Sequence, residues 1–373
     1  MHVLCSSSRN YGERNKMWNA KSQNVLTPDY SVPVWATPFH YKISGVSYCW
    51  MMNERQRETQ ILWTRQFLRK GLDILGKRPG LPIKRQLQIF RINFKYYPER
   101  YTFIYLQIRN LPMIPSGYEP KHLLWTMYFL LTYLTERRLS CILCADPKTL
   151  RKYIWSTVAA IASLAPRFVS VTIYPYWLHR FNRSYTHKFS YKIRWENRLL
   201  RNRRRPSKVT VDGTDFETIE YSPFNPARRS HKLNRPGLRY EVAISIATCY
   251  IVHINGPFLC GEWPDIRIAR SFLHTRLAHD EYYLADAGYR CDYGPAITID
   301  KLPENRHHEH KTLMARHETI NRRFKEFAIL GGRYRHEERK HGDVFRCIAV
   351  LVQIDIVSGH NIPVIRWTKL SHK

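Results

Sequence analysis

Three acidic residues are spaced to hold two divalent cations over a phosphate. They are Asp212 in the run 208–216, Asp286 in the run 282–289 and Glu318 in the run 316–321. The first two close short β-type runs, and the third lies inside a helical pattern. Carboxylates are the hard oxygen ligands that Mg²⁺ and Mn²⁺ take. Three of them can hold two such ions about 3.5–4 Å apart. One ion then lowers the pKa of an attacking water or 3′-hydroxyl, and the other stabilises the leaving oxygen. Lys or Arg could not replace these acids, and Asn or Gln would keep the shape but lose the charge. Each acid also has a plain structural account. Asp212-Gly213 is a turn signal, and Asp286 precedes Ala287-Gly288 as a turn residue would. Glu318 is spaced to pair with Arg322 at i+4. Taken together, in the order strand end, strand end, helix, they favour the joint role.

The rest of the chain sets these acids in a basic background. In 373 residues, Lys and Arg total 60 against 30 Asp and Glu, a formal charge of +30. Such a charge repels itself in a compact state. A polyanion relieves it, and nucleic acid adds affinity through counterion release at each neutralised phosphate. A membrane-surface or ribosome-like protein is the competing account. Hydrophobic content of 44% supports a sizeable core, and the length suits two or three domains.

Eight cysteines are too few and too scattered for a disulfide framework. Cys141 and Cys144 form a C-x-x-C with no second pair at zinc-ribbon spacing. His307-His308-Glu309-His310 reads as a polar loop. Asp215, three residues after Asp212, could supply or replace the first ligand, whereas Asp280, Asp292 and Asp300 read as loop acids. There is no P-loop, Rossmann fingerprint or nucleophile elbow. The first residues lack an apolar stretch of signal-peptide length, and the apolar window 122–134 is too short for a span of about 20 residues. An intracellular protein is expected, and a DNA partner would place it in the nucleus.

The elements that must position the acids come in two groups. Residues 1–53 read as a poorly ordered arm, and 54–178 as a mostly helical region. Within the latter, Leu150, Ile154, Val158 and Ile161 share one helix face, opened by Asp146 as N-cap and Pro147 at the first position. Lys148, Arg151 and Lys152 lie off that face. The pattern helix, short helix, helix across 119–165 is that of a helix-turn-helix, or of an ordinary bundle with a basic face. The aromatic segment 93–105 reads as β-like. Residues 179–207 form a basic linker whose Arg201, Arg203, Arg204 and Arg205 suit phosphate contact, nuclear import or a solvated tether. From 208 to 360 the pattern is α/β. Strands are expected at 208–211, 238–246 and 250–254, the last two as a hairpin. A helix from Asp265 and a strand at 282–285 follow, then a long helix over 309–327 and an apolar helix over 344–356. The order βββ–α–β–α is that of an RNase H-like core with a mixed sheet flanked by helices.

Several ordered motifs resemble the PIF/Harbinger-type DDE transposases and their domesticated relatives. They are 211–216, Ser230-His231-Lys232 with 237–241, 254–258 with 261–265, 285–289 and 316–324. The resemblance covers about residues 205–357. It implies a DDE metal triad at Asp212, Asp286 and Glu318 that binds Mg²⁺ or Mn²⁺, two ions in all. It further implies cutting of transposon ends and joining of the 3′-hydroxyl to target DNA. A helix-turn-helix-like region before the catalytic domain, a Myb-like DNA-binding partner protein and a homo-oligomer are also implied. The alternatives are a domesticated, non-catalytic DNA-binding protein, and a repair or RNA-processing nuclease of the same fold.

Overall fold

The computed structural model describes residues 54–77, 80–168, 207–220, 222–360 and 362, and the backbone of 40–43 and 46–49. Within the expected N-terminal arm, β1 (His40–Ile43) and β2 (Val46–Cys49) pair antiparallel.

Six helices make up most of the described part of the helical region: α1 (Glu54–Ile74), α2 (Ile83–Phe94), α3 (Pro98–Ile108), α4 (Pro120–Thr132), α5 (Glu136–Leu143) and α6 (Pro147–Ser163), with one short turn, α7 (Ala165–Phe168), behind them. The segment expected to be β-like is the end of α2 and most of α3. Lys95 turns into positive φ, and Pro98 takes the first helical position, where its missing N–H costs nothing. Tyr101, Ile104, Tyr105 and Ile108 then repeat at helical spacing and are buried. This helical period overrides the β preference of the aromatic residues. Helix α4 ends at Thr132, where Tyr133 adopts the left-handed conformation. Asp146 caps α6 by accepting a hydrogen bond from the Thr149 N–H at 3.0 Å. The four apolar residues expected to face inward from α6 are all buried.

The second half carries a mixed sheet. Its strands are β3 (Ser207–Glu217), β4 (Arg229–Ser230), β5 (Arg235–Ser245), β6 (Ile251–Leu259), β7 (Tyr282–Ala285) and β8 (Ala296–Ile297). Across the sheet the order is β6-β5-β3-β7-β8, with β4 on the first residues of β5. β3, β5 and β6 pair antiparallel, whereas β7 and β8 join β3 in parallel. Strand β3 is longer than expected, so Asp212 lies mid-strand opposite Val242 and not at a strand end.

The alternation of β3 sorts its side chains onto two faces. Thr210, Asp212, Thr214 and Phe216 point one way with their partners Ile244, Val242, Tyr240 and Leu238. This face is covered by α9 (His307–Lys325) and α11 (His341–Val357). Tyr240 stacks on Phe345 at 3.9 Å between ring centroids. The opposite face carries Gly213 and Asp215, paired with Glu241 and Arg239. There it meets α8 (Asp265–Ile268) and the π-helical turn Ala269–Leu273, so the helix expected after Pro264 forms with a widened second half. A short helix, α10 (Ala328–Gly331), follows α9.

Helix α11 is apolar on nearly every side because both of its faces are covered. One side packs on the sheet. The other meets the helical region: Tyr96 donates to the Leu351 carbonyl at 3.4 Å, and Arg100 pairs with Asp355. Arg323 from α9 also reaches Asp355, at 3.4 Å. No helix among the described residues is long and apolar enough to cross a membrane.

Candidate carboxylate site

The parallel pairing of β3 and β7 decides where the two aspartates stand. Val211 is in register with Ala285, so Asp212 and Asp286 each follow a paired residue on adjacent strands. Asp286 leaves β7 as the cap of a short turn, its Oδ1 accepting from the Gly288 N–H at 3.0 Å. The turn account of Asp286 and its place beside Asp212 therefore hold together. Burial, then the charges of Asp286 and Asp265, push the Asp212 carboxyl up to about 6 against the pull of Lys232.

A third carboxylate stands near this pair: Asp265, the first residue of α8, lies against Gly213 and raises the Asp212 carboxyl by its charge. Its side chain is buried, and its Oδ1 accepts no hydrogen bond among the described residues. It fits only because two neighbours are glycine. A Cβ on Gly213 would stand 1.9 Å from Asp265 Oδ1, and one on Gly288 would stand 3.0 Å from Asp265 Oδ2 and 3.1 Å from Asp286 Oδ1.

Lys232 enters the same space from the turn after β4. Ser230 fixes that turn, with its hydroxyl donating to Asp215 Oδ2 at 2.6 Å and accepting from the Leu233 N–H at 3.1 Å. The Lys232 ammonium donates to the Gly213 carbonyl at 2.8 Å and stands 3.4 Å from Asp265 and 3.9 Å from Asp212. Burial works against its charge, but the surrounding carboxylates outweigh burial and raise its pKa above the usual lysine value.

Helix α9 contributes an amide to this edge. Asn321 donates to Asp212 Oδ2 at 3.3 Å. One turn earlier, His317 reaches the Thr210 hydroxyl at 2.9 Å, and burial holds its imidazole down to about 3. Glu318 lies on the same helix but is exposed. Its carboxylate has no hydrogen-bond or ion-pair partner among the described residues, and it does not join Asp212 and Asp286 in this group.

Asp215, the alternative first ligand, is committed elsewhere. Arg239 grips it with two hydrogen bonds of 2.7 and 2.9 Å on the far sheet face. Burial alone would raise its carboxyl, but Arg239 and Ser230 bring it below the usual range. The histidine run opens α9 instead of forming a loop: His307 bonds the Leu302 carbonyl and His310 the Ala285 carbonyl. Cys141 and Cys144 are exposed thiols.

The donors gathered here are hard oxygens, which suit Mg²⁺ or Mn²⁺. Among the described residues, however, no three or more His, Cys, Asp or Glu side chains are arranged as a metal site, and a lysine ammonium stands in their midst. Lys148, Arg151 and Lys152 are all exposed at the start of α6, and Arg151 is held by Glu136 through two hydrogen bonds of 2.8 Å. Arg201, Arg203, Arg204 and Arg205 lie outside the described residues. Comparison with known protein families, curated proteins and solved structures finds no match.

Sequence reasoning missed Asp265, Asn321 and the role of Lys232. Asp265 opens the helix expected after Pro264 and carried no role of its own. The available signal lay in the glycines at 213 and 288, each beside an acid.

Proposed function

We propose that the chain is a metal-dependent DNA endonuclease and strand transferase related to the PIF/Harbinger-type DDE transposases. In this reading the sheet is an RNase H-like core, and Asp212 and Asp286 are two of its metal ligands. The observation that carries it is the placement of Asp212 and Asp286 each one residue beyond the in-register pair Val211 and Ala285 of adjacent parallel strands, close enough for Asp286 to raise the Asp212 carboxyl. The strand order, three antiparallel strands followed by two parallel ones, supports the fold assignment. The formal charge of +30 supports a DNA partner.

Bound Mg²⁺ or Mn²⁺ would supply Lewis acidity to the scissile phosphate and acidity to a bound water or 3′-hydroxyl. The chain's own part is to hold the carboxylates still. Asn321 orients Asp212 from helix α9, and the Gly288 N–H orients Asp286. Glu318 is the third ligand that the resemblance implies. It lies three residues before Asn321 on the same helix.

The exposure of Glu318 favours a second reading, a domesticated DNA-binding protein that kept the fold. Plasmid nicking in Mn²⁺ separates the two. Nicking by the wild type that disappears in Asp286→Asn supports the enzyme. DNA binding without nicking supports the second reading.

A further inference from the structure

We infer that an exposed aromatic surface beside the aspartate edge is a stacking seat for unpaired nucleobases of a DNA strand. This inference deepens the nuclease reading and rests on its DNA partner, not on which acids hold a cation.

Three rings form the centre of the surface. Phe258 on β6, Trp263 in the turn after it and Phe272 on the π-helical turn stand 5.2–6.2 Å apart between centroids, with planes tilted by 38–41°. The Arg267 guanidinium lies over the Trp263 ring at 4.4 Å and donates to the Glu262 carbonyl at 2.8 Å. Phe272 is 36% exposed, and Phe258 and Trp263 are half-buried. These rings pack on one another and still meet solvent. The π-helical turn under Phe272 is a rare conformation that recurs at functional sites.

Tyr293 extends the surface. It is 95% exposed, more than any other large hydrophobic side chain among the described residues. Its loop, the connection from β7 to β8, is pinned. The Lys301 ammonium donates to the Cys291 and Ala296 carbonyls at 2.7 and 3.2 Å. The loop also packs beside the segment that carries Phe272, since a Cβ on Gly294 would stand 3.9 Å from His274 Cε1. An aromatic ring held out in water forgoes its own burial, and a fixed loop loses little entropy when a ligand engages it.

The chemistry of the occupant follows from the company these rings keep. Across 258–276, Arg267, Arg270 and Arg276 are exposed against one exposed acid, Glu262. Arginine beside open aromatic faces matches a strand that offers a phosphate and a flat base at every step. A duplex cannot use the rings, because its bases are stacked inside it. The position agrees. Trp263 lies just before Asp265, whose carboxylate rests against Gly213 and Gly288, and Tyr293 lies in the connection that leaves Asp286. The surface is thus carried by two segments that border the aspartate edge.

The test is fluorescence anisotropy of the full chain with an end-labelled oligothymidylate strand and with a mixed-sequence duplex of equal length, with nicking measured in parallel. Phe272→Ala and Tyr293→Ala should each weaken strand binding at least about fivefold, the loss of one stacked base, and leave duplex binding within about twofold. Phe272→Trp keeps a stacking face and should bind the strand as the wild type does. Unchanged strand binding in both alanine variants overturns the inference, and nicking by the wild type then leaves the nuclease reading standing. Equal losses on strand and duplex also overturn it, because they mark contacts to phosphate alone. Ring-dependent strand binding by a wild type that nicks nothing upholds the seat and removes the nuclease reading. A wild type that binds neither DNA removes both. Sedimentation of the same proteins checks the competing occupant: self-association lost in Phe272→Ala, with strand binding unchanged, overturns the inference and makes the surface an interface between copies. If Phe272→Ala does not fold, Tyr293→Ala decides, since its side chain stands in solvent.

Discussion

Asp265 occupies the space that any side chain at Gly213 would need, its Oδ1 standing 1.9 Å from where a Cβ would be. The contact joins the middle of β3 to the first turn of α8, so the backbone at 213 and the carboxylate at 265 are fitted to each other. Gly213→Ala should therefore displace Asp265 or bend β3. Overpacking of this kind costs about 1–3 kcal/mol. Thermal unfolding should show the loss, and an unchanged melting temperature would mean that Asp265 moves without penalty.

Arg239 binds Asp215 on two oxygens and also stands near Asp265. Removing it leaves two buried acids short of a positive charge. Arg239→Met should destabilise the chain by about 3–5 kcal/mol, the usual cost of stripping one partner from a buried pair. Replacing both members, as in Arg239→Met with Asp215→Leu, should recover part of that loss. Denaturant unfolding of the three proteins would reveal the recovery. A double variant no better than the single one would show that Arg239 acts mainly through Asp265.

Much of the fold was legible because its elements obey simple periods. Strand β7, helix α11 and the inward face of α6 fall where the residues 282–285, 344–356 and 150–161 place them. The parallel pairing of β3 with β7 sets Asp212 near Asp286, although Asp212 lies in mid-strand and does not end a short run as expected. What stayed hidden depends on contacts distant in the chain. Lys232 and Asp265 meet only because the β4 turn and α8 converge on the same part of β3. Nothing local in either segment says so. Glu318 could be placed on a helix, but which side of that helix meets the sheet depends on how α9 packs, which spacing alone does not give. The segment 93–105 misled because Tyr and Phe favour strands, while the decisive feature was the proline at 98.

Glu241 offers a pH test of the interior. It lies opposite Gly213 on the α8 side of the sheet and is fully buried. Neither of its oxygens has a hydrogen-bond partner among the described residues, although His253 Nε2 lies 3.5 Å from Oε1. Burial, then the charge of Asp265, pushes its carboxyl from an ordinary 4.5 up to about 8, against the pull of Arg276. The folded state thus keeps a proton that the unfolded state releases above 4.5. The stabilisation is full below pH 4.5 and is lost as pH rises towards 8. At pH 7 the loss amounts to about 3 kcal/mol. Glu241→Gln should flatten this part of the stability profile, matching the wild type near pH 4 and exceeding it at pH 8. Parallel profiles for the two proteins would show that Glu241 is already ionised in the fold.

The start of α6 gives a test of DNA contact that does not depend on catalysis. Lys148, Arg151 and Lys152 all project there into solvent, but they are not equivalent. Glu136 engages the Arg151 guanidinium with both oxygens, so that arginine must give up a partner before it can meet a phosphate. Lys152 lies over the Tyr153 ring at 5.5 Å, a contact that leaves its ammonium able to bind an anion. Each phosphate contact adds about 0.9 to the slope of log affinity against log salt. If α6 faces DNA, Lys148→Ala and Lys152→Ala should each lower that slope by about this amount on a duplex of fixed length. Arg151→Ala should lower it by less, and Glu136→Gln should steepen it by freeing Arg151. The ordering of the four variants is the informative result, because general loss of positive charge would affect Arg151 and the lysines alike. Equal slopes in all four would place the DNA on another surface and make α6 an ordinary bundle helix with a solvated basic face.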